Sequence, residues 1–365
     1  MDSDTFARIR KKTRAVRVGG VTVGGGAPVS VQSMTSVPIE DVSATVEQIT
    51  ALSNAGADIV RLAVRNMEAI KYLRQVRSEV DVMLAADIHF NSDLAVEAIK
   101  AGVNKVRINP GNIGGKAAVR EVVAAAKDQV VPIRIGVNGG SLDKRVYPAV
   151  TPQNLASSAL DHVKILEELD FYDVIVSIKS SDVLQTIEAN EIFSRARDYP
   201  LHIGLTEAGY GLSCITASSV LIGHLLLNGL GDTIRVSMTG DPVQEVFAGK
   251  RILEAIGERQ PAVRIISCPT CGRTSPAVDL LSLAEKVETA CAEHFGEKLK
   301  AEGRSITVAV MGCEVNGPGE ASEADFGLAG SGKEHLLLFA RGEKLKRVHK
   351  ENAVHELCVA IDKDI

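Results

Sequence analysis

"VPIRIGVN" at residues 131–138 and "DVIVSIKS" at 173–180 enclose the segment whose reading decides the fold. Each is a short β-branched run that ends in polar residues, the composition of a strand buried on its apolar face. Between them Leu155, Ala159, Val163 and Leu166 recur at helical spacing, one apolar stripe on one helix. Thr151 and Pro152 suit that helix's N-cap and first helical position. Strand, helix and strand in this order predict a βαβ unit with parallel strands.

The same rhythm extends in both directions. Further runs are "VSVQSM" (29–34), "DIVRLAV" (58–64), "VMLAADIHF" (82–90), "KVRIN" (105–109), "LHIGLTE" (201–207) and "TIRVSM" (233–238). Eight strand–helix units in roughly 230 residues predict an α/β protein, a closed (β/α)8 TIM barrel rather than an open sheet. After "GKRILEAIGERQPAVRI" the rhythm breaks. The barrel domain is therefore expected over residues 1–258, and a smaller α+β domain over 262–365. In the latter we expect a strand at 263–267, a helix from Ser275–Pro276 to 297, and a strand at 305–311. Short strands near 326–329, 335–339 and 345–349 follow, then a last helix from 351.

Composition narrows the function. Of 365 residues, 45% are hydrophobic and 24% charged, as in a globular protein with a sizeable core. A net charge of −5 argues against general affinity for nucleic acid or anionic membranes. Aromatic residues make up only 4%, with no Trp, which argues against base-stacking platforms. "SSVLIGHLLLNGL" is interrupted by His224 and Asn228 and is too short to span a bilayer. The N-terminus has no apolar run of signal-peptide length. Six unevenly spaced cysteines do not suggest a disulfide framework, so a reducing cytoplasm is expected, with metal or redox chemistry at a CxxC.

In a barrel the C-terminal strand ends carry the chemistry. The residues placed there are Arg61, Asp87, His89, Arg107, Asn109, Arg134, Asn138, Ser177, Lys179, Thr206, Glu207, Arg235 and Ser237. Pairs two apart, such as Arg107/Asn109, share a strand face. Arg61, Arg107, Arg134, Lys179 and Arg235 then converge from five strands, and a polyanionic ligand resolves their repulsion. Glu207 is the carboxylate expected to face this site as acid or base, or to serve as an arginine's partner. "NPGNIGG" (109–115) is a turn-rich loop able to offer N–H groups to an anion.

Cys268 and Cys271 form "CPTC", and Cys313 lies in "MGCEVNGPGE". Each group follows an expected strand and precedes glycines, which suits an iron–sulfur cluster better than zinc. The fourth ligand stays open among His294, His335 and Glu320. Cys291 and Cys358 continue apolar helix stripes and are expected in the core; Cys214 is expected to pack there or in a loop.

The motifs "QSMTS", "ADIHF", "RINPGNIG", "IRIGVNGGSL", "TEAG", "GDTIRVS", "CPTCGR" and "MGCEVNGPGEA" occur here in an order that resembles the 4-hydroxy-3-methylbut-2-enyl diphosphate synthase family, in its two-domain bacterial form. The resemblance covers nearly the whole chain. It implies reductive dehydroxylation and ring opening of 2-C-methyl-D-erythritol 2,4-cyclodiphosphate in isoprenoid precursor biosynthesis. It implies a diphosphate held by Arg61, Arg107, Arg134, Lys179, Arg235 and Ser237, with Asn109, Asn138 and Thr206 as further pocket residues. His89, read from its strand-end place beside Asp87, is expected as a substrate-binding residue or else a capped turn. Glu207 is then the proton-transfer carboxylate. A [4Fe–4S] cluster is implied on Cys268, Cys271, Cys313 and Glu320. A carboxylate is a weaker, harder ligand than thiolate, which suits an exchangeable iron position. Electrons are expected from flavodoxin or ferredoxin, in a head-to-tail homodimer, with no nucleic acid and no membrane involved. "TSVPIEDV" and Arg65 depart from the family's usual residues in two loops. The competing reading is a barrel phosphate-ester lyase or aldolase with a structural zinc domain and Lys179 as its Schiff-base lysine.

Overall fold

The computed structural model describes residues 10–89, 91–109, 113–313, 319 and 321–365. All eight expected barrel strands form: β3 (Ser30–Met34), β4 (Ile59–Ala63), β5 (Met83–Asp87), β6 (Lys105–Ile108), β7 (Ile133–Asn138), β8 (Val174–Lys179), β9 (His202–Ile203) and β10 (Thr233–Ile234). They are parallel, in the order β8-β7-β6-β5-β4-β3-β10-β9. A single parallel bridge, Val176 to Leu201, joins the two ends and closes the cylinder. The last two strands are shorter than their runs. Gly204 sits at φ +153, and a Cβ there would lie 2.2 Å from the Arg235 carbonyl oxygen. The chain leaves the ladder where only glycine allows that approach.

Between the strands lie α1 (Val42–Ala55), α2 (Ala69–Glu79), α3 (Ser92–Lys100), α4 (Gly115–Gln129), α5 (Pro152–Glu167), α6 (Val183–Ala196) and α7 (Gly211–Leu227), with α8 (Pro242–Ala255) after β10. In α5 the Thr151 side chain accepts from Asn154 N–H at 3.2 Å with Pro152 inside the first turn, and Leu155, Ala159, Val163 and Leu166 are buried. The period of two divides each strand. Val60 and Leu62, or Val106 and Ile108, enter the core shared with the helices. The residues between them, Arg61 and Arg107, face the lumen. Burying each such apolar side chain is worth about 1.5–3 kcal/mol, so the register that places the arginines inside is strongly specified.

The sequence reading missed a small antiparallel hairpin, β1 (Val16–Val18) with β2 (Val21–Val23). Its Val16, Val18 and Val23 pack on Ile59, Ala85 and Ile175 near the strands' N-terminal ends. With that end filled by apolar side chains, the polar residues collect toward the other end.

The chain divides into two compact units, one ending at Arg259 and the other beginning at Gln260. The second unit carries a mixed sheet ordered β11 (Val263–Ser267), β12 (Ile306–Met311), β13 (Phe326–Ser331), β14 (His335–Ala340) and β15 (Glu343–His349). The first three strands are parallel and the rest antiparallel. Helices α9 (Leu280–Ala301) and α10 (Ala353–Asp362) supply Val287, Cys291, Phe295, Leu357 and Ile361 to a core with Val308, Val310 and Leu328. The helix expected from Ser275–Pro276 begins instead at Leu280. Ser275 is held in a loop by its N–H to Gly312 O at 2.8 Å, and Asp279 caps Ser282 N–H at 3.2 Å. Cys291 is in the core and Cys358 packs half-buried against it. Among the described residues no helix is long and apolar enough to cross a membrane.

Candidate functional site

Strand register assembles the barrel site. Met34 is the Cα partner of Arg61, Asp87 of Arg107, Arg107 of Arg134, and Asn138 of Lys179. Arg107 and Arg134 thus stand side by side, and each side chain is almost fully buried. Lys179 is buried as well, its Nζ within 2.9 Å of where a Cβ on Gly204 would stand. Gly136 makes the matching room for Arg107, whose Nε would lie 2.5 Å from a Cβ there.

Two carboxylates hold part of this charge. Asp87 accepts from Arg107 Nη1 at 3.2 Å and lies 4.0 Å from Arg61 Nε. Glu245, on α8, spans Arg235 with contacts of 3.3 and 3.4 Å, and also accepts from Ser33 Oγ at 3.1 Å and Met238 N–H at 2.9 Å. Arg134 Nε and Nη2 have no hydrogen-bond partner among the described residues.

The protonation equilibria report the surplus. Burial lowers the Arg61 guanidinium to about 10, with Asp87 opposing and Arg235 and Arg107 adding to the effect. Burial, then Arg61 and Arg107, pull Arg134 well below its ordinary range. Burial followed by Arg134, Arg235 and Arg61 does the same to Lys179. For Asp87 burial works upward, but Arg61, His89, Arg107 and Arg134 overcome it and hold the carboxylate well below its usual value. Buried cations with too few carboxylates are costly on their own, and an incoming anion removes that cost.

The other expected residues take varied places. His89 is exposed and touches both Asp87 (3.4 Å) and Arg107 (3.0 Å). Asn109, Asn138, Thr206 and Ser237 are half-buried beyond or at the strand ends. Glu207 is exposed on the loop after β9 at φ +56, a left-handed conformation uncommon outside glycine. Among the described residues it makes no ion pair, so the arginine-partner role falls to Asp87 and Glu245. Cys214 is buried, its thiol against the Ser237 carbonyl at 3.4 Å.

Three polar residues were not foreseen. Lys105 lies fully buried, its Nζ donating to Gln32 Oε1 at 2.9 Å. Its position two before Arg107 was the available signal. His202 is fully buried with neither ring nitrogen partnered among the described residues, held neutral by burial and then by Lys179, Arg134 and Lys105. Glu245 left no signal, because a single acid on an amphipathic helix reads as a solvated one.

In the second unit, hydrogen bonds tie the two cysteine loops together. Gly312 N–H donates to Cys268 Sγ at 3.1 Å, and Ser275 N–H donates to Gly312 O at 2.8 Å. Cys313 is therefore carried on a loop fastened to the CxxC loop. Cys271 Sγ is exposed and its thiol is lowered, first by the N–H of Arg273. An N–H donated to sulfur favours the thiolate that a metal needs. Among the described residues no three His, Cys, Asp or Glu side chains are gathered closely enough to hold a metal ion. Glu320 lies outside the described residues, and His294 and His335 are exposed. The donor set and the loop fastening fit a thiolate-held group.

Residues 13–250 match the family described as GcpE TIM-barrel domain, and residues 264–363 match GcpE protein C-terminal domain. The chain is 50% identical over 356 residues to 4-hydroxy-3-methylbut-2-en-1-yl diphosphate synthase (flavodoxin) of Clostridium perfringens, covering 97% of this chain and 99% of that one. The enzyme of that name from Thermodesulfovibrio yellowstonii is 50% identical over 357 residues, with the same two coverages. Among solved structures, type I 3-dehydroquinate dehydratase from Clostridium difficile aligns with a TM-score of 0.51 at 16% identity, over 68% of this chain and 99% of that one. That last likeness shows the barrel fold alone.

Proposed function

The chain belongs to the GcpE family of 4-hydroxy-3-methylbut-2-en-1-yl diphosphate synthases, and from that premise we propose how its own residues carry the reaction. The substrate is 2-C-methyl-D-erythritol 2,4-cyclodiphosphate. Its ring is opened and one hydroxyl leaves as water, at a cost of two electrons. Family membership selects this reductive reading over a lyase with a zinc domain.

The observation that carries the assignment to the barrel is the buried cation cluster, with Asp87 and Glu245 its only carboxylates among the described residues. Arg61, Arg107, Arg134, Lys179, Arg235 and Ser237 hold the diphosphate, whose oxygens supply the acceptors that Arg134 lacks. Each charge-assisted contact is worth about 1.5–3 kcal/mol. Asn109, Asn138, Thr206 and His89 orient the carbon skeleton. Glu207 delivers a proton from its carboxyl Oε to the departing hydroxyl, and its exposed position on the β9 loop gives it access to the opening.

Cys268, Cys271, Cys313 and Glu320 would hold a [4Fe–4S] cluster, the second unit serving as the cluster domain. When bound, the cluster supplies the two electrons one at a time. The relatives' name points to flavodoxin as donor, with ferredoxin the other candidate. We further propose a cytoplasmic head-to-tail homodimer in which the second unit of one subunit serves the barrel of the other. The test is anaerobic: protein reconstituted with iron and sulfide, given a reductant and the cyclic diphosphate, should release the linear hydroxybutenyl diphosphate. A fully loaded protein that leaves the substrate intact would contradict the proposal.

A further inference from the structure

Among the site's arginines, Arg107 and Arg235 donate hydrogen bonds to carboxylates, whereas Arg61 meets Asp87 only as an ion pair without a hydrogen bond. Arg107 has Asp87 at 3.2 Å, and Arg235 has Glu245 at 3.3 Å. Arg61 is no closer than 4.0 Å to Asp87, and its N–H groups are directed elsewhere. Nε and Nη2 point at the thioether of Met34, with Sδ at 3.1 and 2.9 Å. The same sulfur receives Arg235 Nη1 at 3.6 Å. Met34 and Arg61 are Cα partners on neighbouring strands, so the contact is built into the register.

We propose that Met34 is a positioning residue for the diphosphate, its sulfur gathering the guanidinium groups of Arg61 and Arg235 without neutralising either. The inference rests on the diphosphate reading of the barrel. Two like charges drawn to one point need an electron-rich partner between them. A carboxylate would do this but would cancel the charge the ligand requires. A thioether is a weak, polarisable acceptor without formal charge. It holds these three N–H groups and releases them readily to phosphate oxygens, which are stronger acceptors. Arg61 thereby keeps its N–H donors for the ligand, Asp87 standing 4.0 Å away without a hydrogen bond, whereas Arg107 and Arg235 commit donors to protein carboxylates.

The test compares three substitutions in the full-length protein, read by calorimetric titration with inorganic pyrophosphate and by steady-state kinetics of the reconstituted enzyme. Leucine nearly preserves the volume but has no acceptor. In Met34→Leu, Arg61 is free to turn toward Asp87, and pyrophosphate affinity should fall about tenfold, with KM rising by a similar factor and kcat moving less. Met34→Gln restores a neutral acceptor and should stay within about threefold of the unaltered protein. Met34→Glu neutralises the pair and should show the largest loss. Equal affinity in Met34→Leu and the unaltered protein would overturn the role of Met34 alone. So would a glutamine variant as weak as leucine, since packing would then be the cause. Failure of the unaltered protein to bind pyrophosphate would overturn the diphosphate reading, and this inference with it.

Discussion

Arg107 and Arg134 stand on adjacent strands in Cα register, whereas Cys268, Cys271 and Cys313 stand on loops that follow strand ends. The barrel cations are buried or half-buried and already close enough to shift one another's protonation. The cysteines share hydrogen-bonded loops, yet the described residues do not form a closed ligand set. The difference is one of scaffold. A strand fixes a side chain through the burial of its apolar neighbours, so the barrel cations proposed to hold the diphosphate are organised by folding itself. A loop fixes its side chains only as far as its hydrogen bonds reach, so the proposed cluster site would be completed by what it binds.

That contrast can be broken most sharply at the loops. Cys313→Ser should abolish the cluster, leaving iron and sulfide near background after reconstitution, with turnover lost by at least about a thousandfold. The barrel of that variant should still bind pyrophosphate normally; a loss there would mean that the two sites are not independent. Glu207→Gln comes next. It should leave the visible spectrum unchanged while kcat falls by about 10²–10⁴, and retained turnover would remove Glu207 from the proton step. Arg134→Met should lower kcat/KM by about 10–100-fold, the loss of one or two charge-assisted contacts, with the cluster spectrum intact.

Protonation offers a subtler probe. Lys179 and Lys105 have folded-state values well below the ordinary lysine value, so the unfolded chain binds more protons than the ligand-free fold. Stability without ligand should therefore rise with pH across the window from their depressed values up to the ordinary one. A bound diphosphate restores the charged form and should take up protons in that same window. Calorimetry in buffers of different ionisation enthalpy checks this, and proton release instead would contradict the surplus of positive charge. The smallest effect belongs to the scaffold. Thr151→Ala removes the cap of α5 and should cost about 1 kcal/mol of stability, read as a lower Tm with KM unmoved.

The cation cluster was legible because strand geometry has a fixed period. Once "KVRIN" is a strand, Arg107 and Asn109 must share a face, and the same rule could have found Lys105. The eight strands and the α5 cap were legible for the same reason, each being set by a local pattern. The hairpin Val16–Val23 was not, since two three-residue strands around glycines carry little periodicity and gain their stability from the barrel floor they cover. The start of α9 was misplaced because Ser275 and Pro276 resemble a helix start, while tertiary bonds to Gly312 hold them in a loop. Glu245 and Met34 were invisible for a further reason: their roles lie in partners that only the closed barrel supplies.

The strand-built cations are proposed as the seat of a cyclic diphosphate. A crystal structure of the full-length protein with 2-C-methyl-D-erythritol 2,4-cyclodiphosphate tests it most directly. The phosphate oxygens should lie within hydrogen-bond distance of Arg61, Arg134, Lys179 and Arg235, and the orphaned Nε and Nη2 of Arg134 should be partnered. Clear density for the diphosphate elsewhere, with Arg134 still unpartnered in the barrel, would contradict the account.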